Sequence, residues 1–335
     1  MPALTRPQPD TLRAILYALG ANIAITVVKF LGAALTGSGA LLAESFHSFA
    51  DTGNEALLLL GRKQAGAPPS AQHPLGHGRA TYFWSFVVAV LLFSVGGILS
   101  ILEGIQKLRN PADITTPWVA VAIVLFAMLA EGISLRMLLK QVRKVRGEHS
   151  LWRWFRETRR SELIVVLSED LAAIAGLSLA LAALLATIAT GDALYDALGS
   201  IGIGALLMLV ATGLGIEIKS LLIGESASPR LRRAIREFLE AQPGIVELWQ
   251  LVTMQYGDDL FIAVQARMNA ALTGHDLIQA IAACKAAIRA QFPQVKWMFL
   301  EPVDATFRKG LRARARLRSR LRHSHPDQGR SKSEL

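Results

Sequence analysis

The stretch Ala40-Leu41-Leu42-Ala43-Glu44-Ser45-Phe46-His47-Ser48-Phe49-Ala50-Asp51 decides how the whole chain is read. Glu44, His47 and Asp51 stand at i, i+3 and i+7, which is one face of a helix. Their neighbours are apolar, and the run from Gly37 to Leu60 is long enough to cross a bilayer. A second apolar run, Ile164 to Leu185, carries Glu169 and Asp170. A charged group at bilayer depth costs about 3 kcal/mol or more, so such groups persist where they line an ion path or pair inside a bundle. Imidazole with carboxylates is also a donor set suited to Zn2+ and its first-row neighbours. These residues point to a membrane protein that handles a divalent metal ion.

Composition agrees. Hydrophobic residues make up 52% and charged residues only 19%, with a mean hydropathy of +0.37, a balance seldom found in a soluble domain of this size. Thr81 to Leu102, Leu171 to Gly191 and Ala197 to Ile216 contain no charge over 22, 21 and 20 residues, against about 20 needed to span. Ile15 to Leu35, Gly37 to Leu60 and Pro117 to Leu135 are further candidates interrupted by charges. The fold class expected is an α-helical membrane protein with six transmembrane helices.

Lysine and arginine set the orientation. The connection after the fourth span holds Arg136, Lys140, Arg143, Lys144, Arg146, Arg153, Arg156, Arg159 and Arg160, and the one after the second holds Arg62, Lys63 and Arg79. The connections after spans one and five hold none, and the third has only Lys107 and Arg109. The positive-inside bias therefore places both termini in the cytoplasm. The net charge of +10 is concentrated in the tail, where ten lysines and arginines from Arg308 onward face only Asp327 and Glu334. Residues 306–335 read as a basic, disordered tail near anionic lipid, not as a nucleic-acid binder. With one cysteine, Cys284, there is neither an internal disulfide nor a thiolate cluster.

Beyond residue 223 the composition becomes that of a soluble domain, expected over 224–305. Ser228-Pro229 reads as N-cap and first helical residue. Ile245 to Tyr256 and Leu260 to Met268 alternate as strands around Gly257-Asp258-Asp259, and helix His275 to Gln291 and strand Val295 to Glu301 complete an αββαβ, ferredoxin-like order. Cys284 falls on the apolar face of Leu277, Ile281 and Ile288, where packing outweighs ligation, and His275 beside Asp276 reads as helix capping.

Leu41 to Asp51 in span two, the loop His73-Pro74-Leu75-Gly76-His77-Gly78-Arg79, and Asn22 with Lys29 in span one resemble the cation diffusion facilitator, or cation efflux, family of metal-ion/proton antiporters. The resemblance covers roughly residues 12–303. It implies a metal site with two ligands on span two, matched by His47 and Asp51, and two on span five. There Asp170 matches the aspartate, but Val166 stands where zinc members usually have histidine, a departure similar to the branch related to vertebrate zinc transporter 9, whose members read Glu-Asp. The fourth ligand is then Glu169, or alternatively water, Glu44 or Asn54. In related transporters the loop holds a second metal, which makes His77, with His73, a candidate peripheral site. The second strand ends Ala266-Arg267-Met268, without the His and Asp cluster that some relatives carry in the cytoplasmic domain. The resemblance also implies a homodimer held through the small domain.

Depth supports the central set independently. His47 and Asp51 lie about 15 and 21 Å down a helix starting near Gly37, and Asp170 about 14 Å up one starting near Ser161, so in a core of about 30 Å all three meet near the midplane. Glu44, Glu55, Glu131 and Glu162 read as helix-packing or interface residues. The function expected is Zn2+ efflux in exchange for protons by alternating access across a bacterial inner membrane. Mn2+, Co2+, Fe2+ and Cd2+ remain open as cargo because the span-five histidine is missing. A passive metal channel is the alternative. An intramembrane hydrolase is disfavoured, since no His-Glu-x-x-His or Gly-x-Ser-x-Gly motif occurs.

Overall fold

The computed structural model describes residues 9–111, 114–146 and 150–304. The basic tail lies outside the described residues. The chain divides into two compact units with a boundary at Glu225–Ser226.

The first unit is helical: α1 (Pro9–Thr36), α2 (Gly39–Ala65), α3 (Ala80–Leu91) continuing through a π-helical segment (Leu92–Ile98) into α4 (Leu99–Arg109), α5 (Pro117–Arg146), the short α6 (Leu151–Glu157), α7 (Ser161–Thr190) and α8 (Leu194–Ile223). Ala80–Arg109, Pro117–Lys140, Ser161–Thr190 and Leu194–Ile223 are each long and apolar enough to cross a membrane, and Asn22–Thr36 is a shorter apolar helix. Among the described residues, the expectation of six crossings thus meets four clear ones. For α2 the reason is chemical, since it is 27 residues long but carries Glu44, Asp51, Glu55, Arg62 and Lys63; the charges that suggest a site also lower its hydropathy.

Helix termini follow local rules. Ser38 caps α2 by accepting the Leu41 amide, and α7 ends at Gly191 in the left-handed region with φ of 70°. The α3–α4 helix packs tightly on α8 through small residues: a Cβ on Gly97 would come 2.5 Å from Met208, and one on Gly204 2.6 Å from Ile101. α2 sits centrally, touching α1, the α3–α4 helix, α7 and α8. Its buried side joins a core that includes Leu41, Val88, Leu92, Ile164, Leu177 and Ile203.

The second unit runs α9 (Pro229–Glu240), β1 (Ile245–Tyr256), β2 (Asp259–Met268), α10 (Gly274–Gln291) and β3 (Val295–Pro302), the αββαβ order read from the sequence. The sheet order is β1-β2-β3, with β2 and β3 parallel and Ile262 opposite Met298 and Val264 opposite Leu300. Leu260, Ile262, Val264, Ala266 and Met268 are buried on one face, where they pack with Ile235, Leu239, Cys284 and Ile288. Ser228 caps α9 with Pro229 following. The cap of α10, however, is Thr273, in a reciprocal capping box with Asp276; His275 instead lies 3.0 Å from Gln279.

Candidate metal site between α2 and α7

His47 is the ninth residue of α2, about 12 Å along the helix from its start. It is fully buried, and neither ring nitrogen has a hydrogen-bond partner. Asp51, one turn on, brings Oδ1 to 3.4 Å from His47 Nδ1, outside hydrogen-bond reach. Asp51 Oδ1 and Asp170 Oδ2 are also buried without a partner. The charged neighbours of Asp51 are Glu169, Glu131, Lys29 and Glu44, and those of Asp170 are Glu131 and Glu55. More than nine in ten buried polar groups are normally bonded, and unpaired ones demand a reason. Here four orphaned atoms, two nitrogens and two oxygens, fall on two packed helices, and all are metal-donor types.

Glu169, adjacent to Asp170 on α7, is buried, and its Oε1 accepts a 2.6 Å hydrogen bond from Asn54 Nδ2. Two of the alternatives for the fourth ligand therefore hold each other across the α2–α7 seam. Asn54 Oδ1 remains buried and unpartnered. Glu44 behaves differently, for its Oε2 lies 3.5 Å from Lys29 Nζ, and that ammonium also donates to Ser48 Oγ at 2.6 Å. Among the described residues no group of three or more His, Cys, Asp or Glu is close enough to hold an ion. The expected ligands are thus a pair on α2 and a pair on α7, with the α7 pair partly engaged by Asn54.

Glu55 accepts from Asn22 at 3.1 Å, and Glu162 faces Arg62 at 3.5 Å, both in keeping with packing roles. In the loop after α2, His73 carbonyl oxygen accepts from the Ser70 and Gly76 amides, with Gly76 at φ of 79°. This turn brings the His73 and His77 rings to a centroid separation of 4.4 Å. His73 is exposed, whereas His77 Nδ1 is buried without a partner.

Two polar centres were not assigned from sequence. Lys29 had a signal, since a lone lysine inside an apolar run requires a countercharge. Asp196 had none. Its buried carboxylate accepts from Ser38 Oγ at 2.7 Å, Gly39 N at 2.6 Å, Ala40 N at 3.1 Å and Lys107 Nζ at 2.7 Å, joining α8 and α4 to the start of α2. Lys107 also donates to the Gly37 carbonyl.

Residues 15–223 match the family model of the cation efflux transmembrane domain. The chain is 35% identical over 219 residues to the mitochondrial proton-coupled zinc antiporter SLC30A9 of Xenopus laevis, covering 65% of this chain and 39% of that protein. It is 33% identical over 220 residues to the Homo sapiens antiporter of the same name, with 65% and 39% covered. It is 31% identical over 255 residues to metal tolerance protein C4 of Arabidopsis thaliana, with 74% and 55% covered. The chain therefore spans roughly two fifths to about half of the length of these relatives. These similarities agree with the resemblance to the zinc transporter 9-like branch, and the chain belongs to the cation efflux family.

Proposed function

We propose that the protein is a divalent-cation efflux transporter that exchanges Zn2+ for protons by alternating access. The observation that carries this reading is the set of buried, unpartnered donor atoms of His47, Asp51 and Asp170 on packed apolar helices. The SLC30A9 relatives are proton-coupled zinc antiporters, which supports it. Zn2+ leads as cargo because His47 contributes nitrogen; Mn2+, Co2+, Fe2+ and Cd2+ are secondary candidates, favoured by an oxygen-rich shell.

His47, Asp51 and Asp170 hold the ion in this reading, and Glu169 joins by exchanging Asn54 for the metal. Metal and protons compete for the same lone pairs, because a ligand must be deprotonated to bind metal. Either occupant neutralises the carboxylates and lowers the cost of burying them, whereas the empty, fully ionised site is disfavoured. That asymmetry couples the two flows. All six long helices span the membrane, with α1 and α2 sheltered by their neighbours, and the arginine-rich connections put both termini in the cytoplasm of a bacterial inner-membrane protein. The αββαβ unit extends into the cytoplasm and pairs two copies. His73 and His77 form a peripheral metal site in the loop.

Zn2+ uptake into sealed vesicles containing the purified full chain, with and without an imposed pH gradient, tests this. Antiport predicts flux driven by an opposing proton gradient and abolished in a folded Asp51→Ala variant. Flux indifferent to the gradient would favour a passive channel, and near-normal flux in Asp51→Ala would rule out the site.

A further inference from the structure

We propose that Lys29 is a resident cation that sets metal selectivity by withholding Glu44 from the transported ion, an inference that rests on the metal-transport reading above. Lys29 and Glu44 are both buried, at 1% and 0% exposure, and their charged atoms lie 3.5 Å apart. The same ammonium donates to Ser48 Oγ at 2.6 Å, so α1 grips α2 at Glu44, one turn before His47, and at Ser48, immediately after it. An ammonium is a compact, strongly hydrated charge, and away from water it keeps a carboxylate partner.

The other Glu44 oxygen is not engaged. Oε1 is buried without a partner and faces Gly176 on α7, where a Cβ would approach it to 2.3 Å. Gly176 follows Glu169 by seven residues and so shares its face of α7. Glu44 therefore stands in the same α2–α7 seam as the metal-site residues, with one oxygen turned into it and the other held by Lys29. Released from Lys29, the carboxylate would lie one helical turn from His47 and add an anionic oxygen to the donor set. A shell richer in oxygen favours harder ions such as Mn2+ over Zn2+. Lys29 thus keeps the imidazole decisive by occupying the carboxylate that would dilute it.

The test is competitive calorimetric titration of Zn2+ and Mn2+ into the purified full chain as wild type, Lys29→Gln, and Lys29→Gln/Glu44→Gln. Lys29→Gln should shift the affinity ratio toward Mn2+ by about tenfold or more, in the range typical of changes just outside a metal shell. The double variant, which leaves no unpaired buried charge, should return the ratio and the Zn2+ affinity to within about threefold of wild type. A merely structural Lys29 would weaken both metals together and leave the ratio unchanged, which would overturn the proposal. If Lys29→Gln does not fold, the double variant decides: wild-type Zn2+ affinity and ratio support the proposal, and loss of Zn2+ binding overturns it by placing Glu44 in the donor set. A wild type that binds neither metal would sink the transport reading and this inference together, whereas a wild type that binds Zn2+ beside a Lys29→Gln variant of unchanged ratio would sink the inference alone.

Discussion

Asp196 offers a quantitative test of how α2 is held. Its carboxylate is 1% exposed and accepts four bonds, from Ser38 Oγ, Gly39 N, Ala40 N and Lys107 Nζ, at 2.6 to 3.1 Å. Asp196→Ala removes the acceptor for the first amides of α2, worth about 1 kcal/mol by analogy with N-cap loss. It also breaks a buried ion pair, which costs about 3–5 kcal/mol when one partner stays behind unpaired. Lys107 is 12% exposed and has the Gly37 carbonyl as a second acceptor, so the lower end of that range applies. The expected loss is about 4 kcal/mol for Asp196→Ala and about 2 kcal/mol for Asp196→Asn, which keeps an acceptor oxygen but not the charge. Unfolding free energies from dodecyl sulfate titration in mixed micelles would measure both. Hydrogen exchange at Gly39 and Ala40 should also lose protection. An Asp196→Ala variant within about 1 kcal/mol of wild type would refute the reasoning, because it would mean that water replaces the carboxylate at no cost.

Glu169→Gln should cost about 1 kcal/mol or less in stability, since an amide can still bond Asn54, yet lower Zn2+ affinity about tenfold or more. Val166→His in that background should restore part of the affinity, because residue 166 lies one turn before Asp170 on α7; unchanged affinity in Glu169→Gln would remove Glu169 from the ligand set. His77→Ala should reduce transport rate or apparent affinity by less than about tenfold, and complete loss in a folded variant would show that the loop is central. Burial pushes the Cys284 thiol above its ordinary pKa, with Lys285 opposing it. The thiolate is therefore scarce at neutral pH, and maleimide labelling should be slow in the folded protein and accelerate as pH rises or as α10 unfolds. Rapid labelling of folded protein at pH 7 would refute its burial.

Much of this molecule is decided by neighbours in sequence. The apolar runs, the Ser228-Pro229 helix start, the alternation through Leu260, Ile262, Val264, Ala266 and Met268, and the placement of Glu44, His47 and Asp51 along one helix all follow from helical and strand periodicity. The buried ionisable groups of the α2–α7 seam were legible for the same reason, since a charge inside a span is conspicuous whatever its partner. Which charges pair with which was not. Glu44 and Asn54 sit on the same helix as His47 and are equally eligible as ligands by spacing, yet one Glu44 oxygen is held by Lys29 and the Asn54 amide by Glu169, because α1 brings Lys29 to the one and α7 brings Glu169 to the other. Asp196 was invisible altogether, as its partners at the start of α2 lie more than 150 residues away in the chain. Sequence periodicity determines which face of each helix a residue occupies; only the packing of helix on helix decides which faces meet, and in a low-dielectric interior that meeting determines whether a buried charge is a structural partner or a free donor.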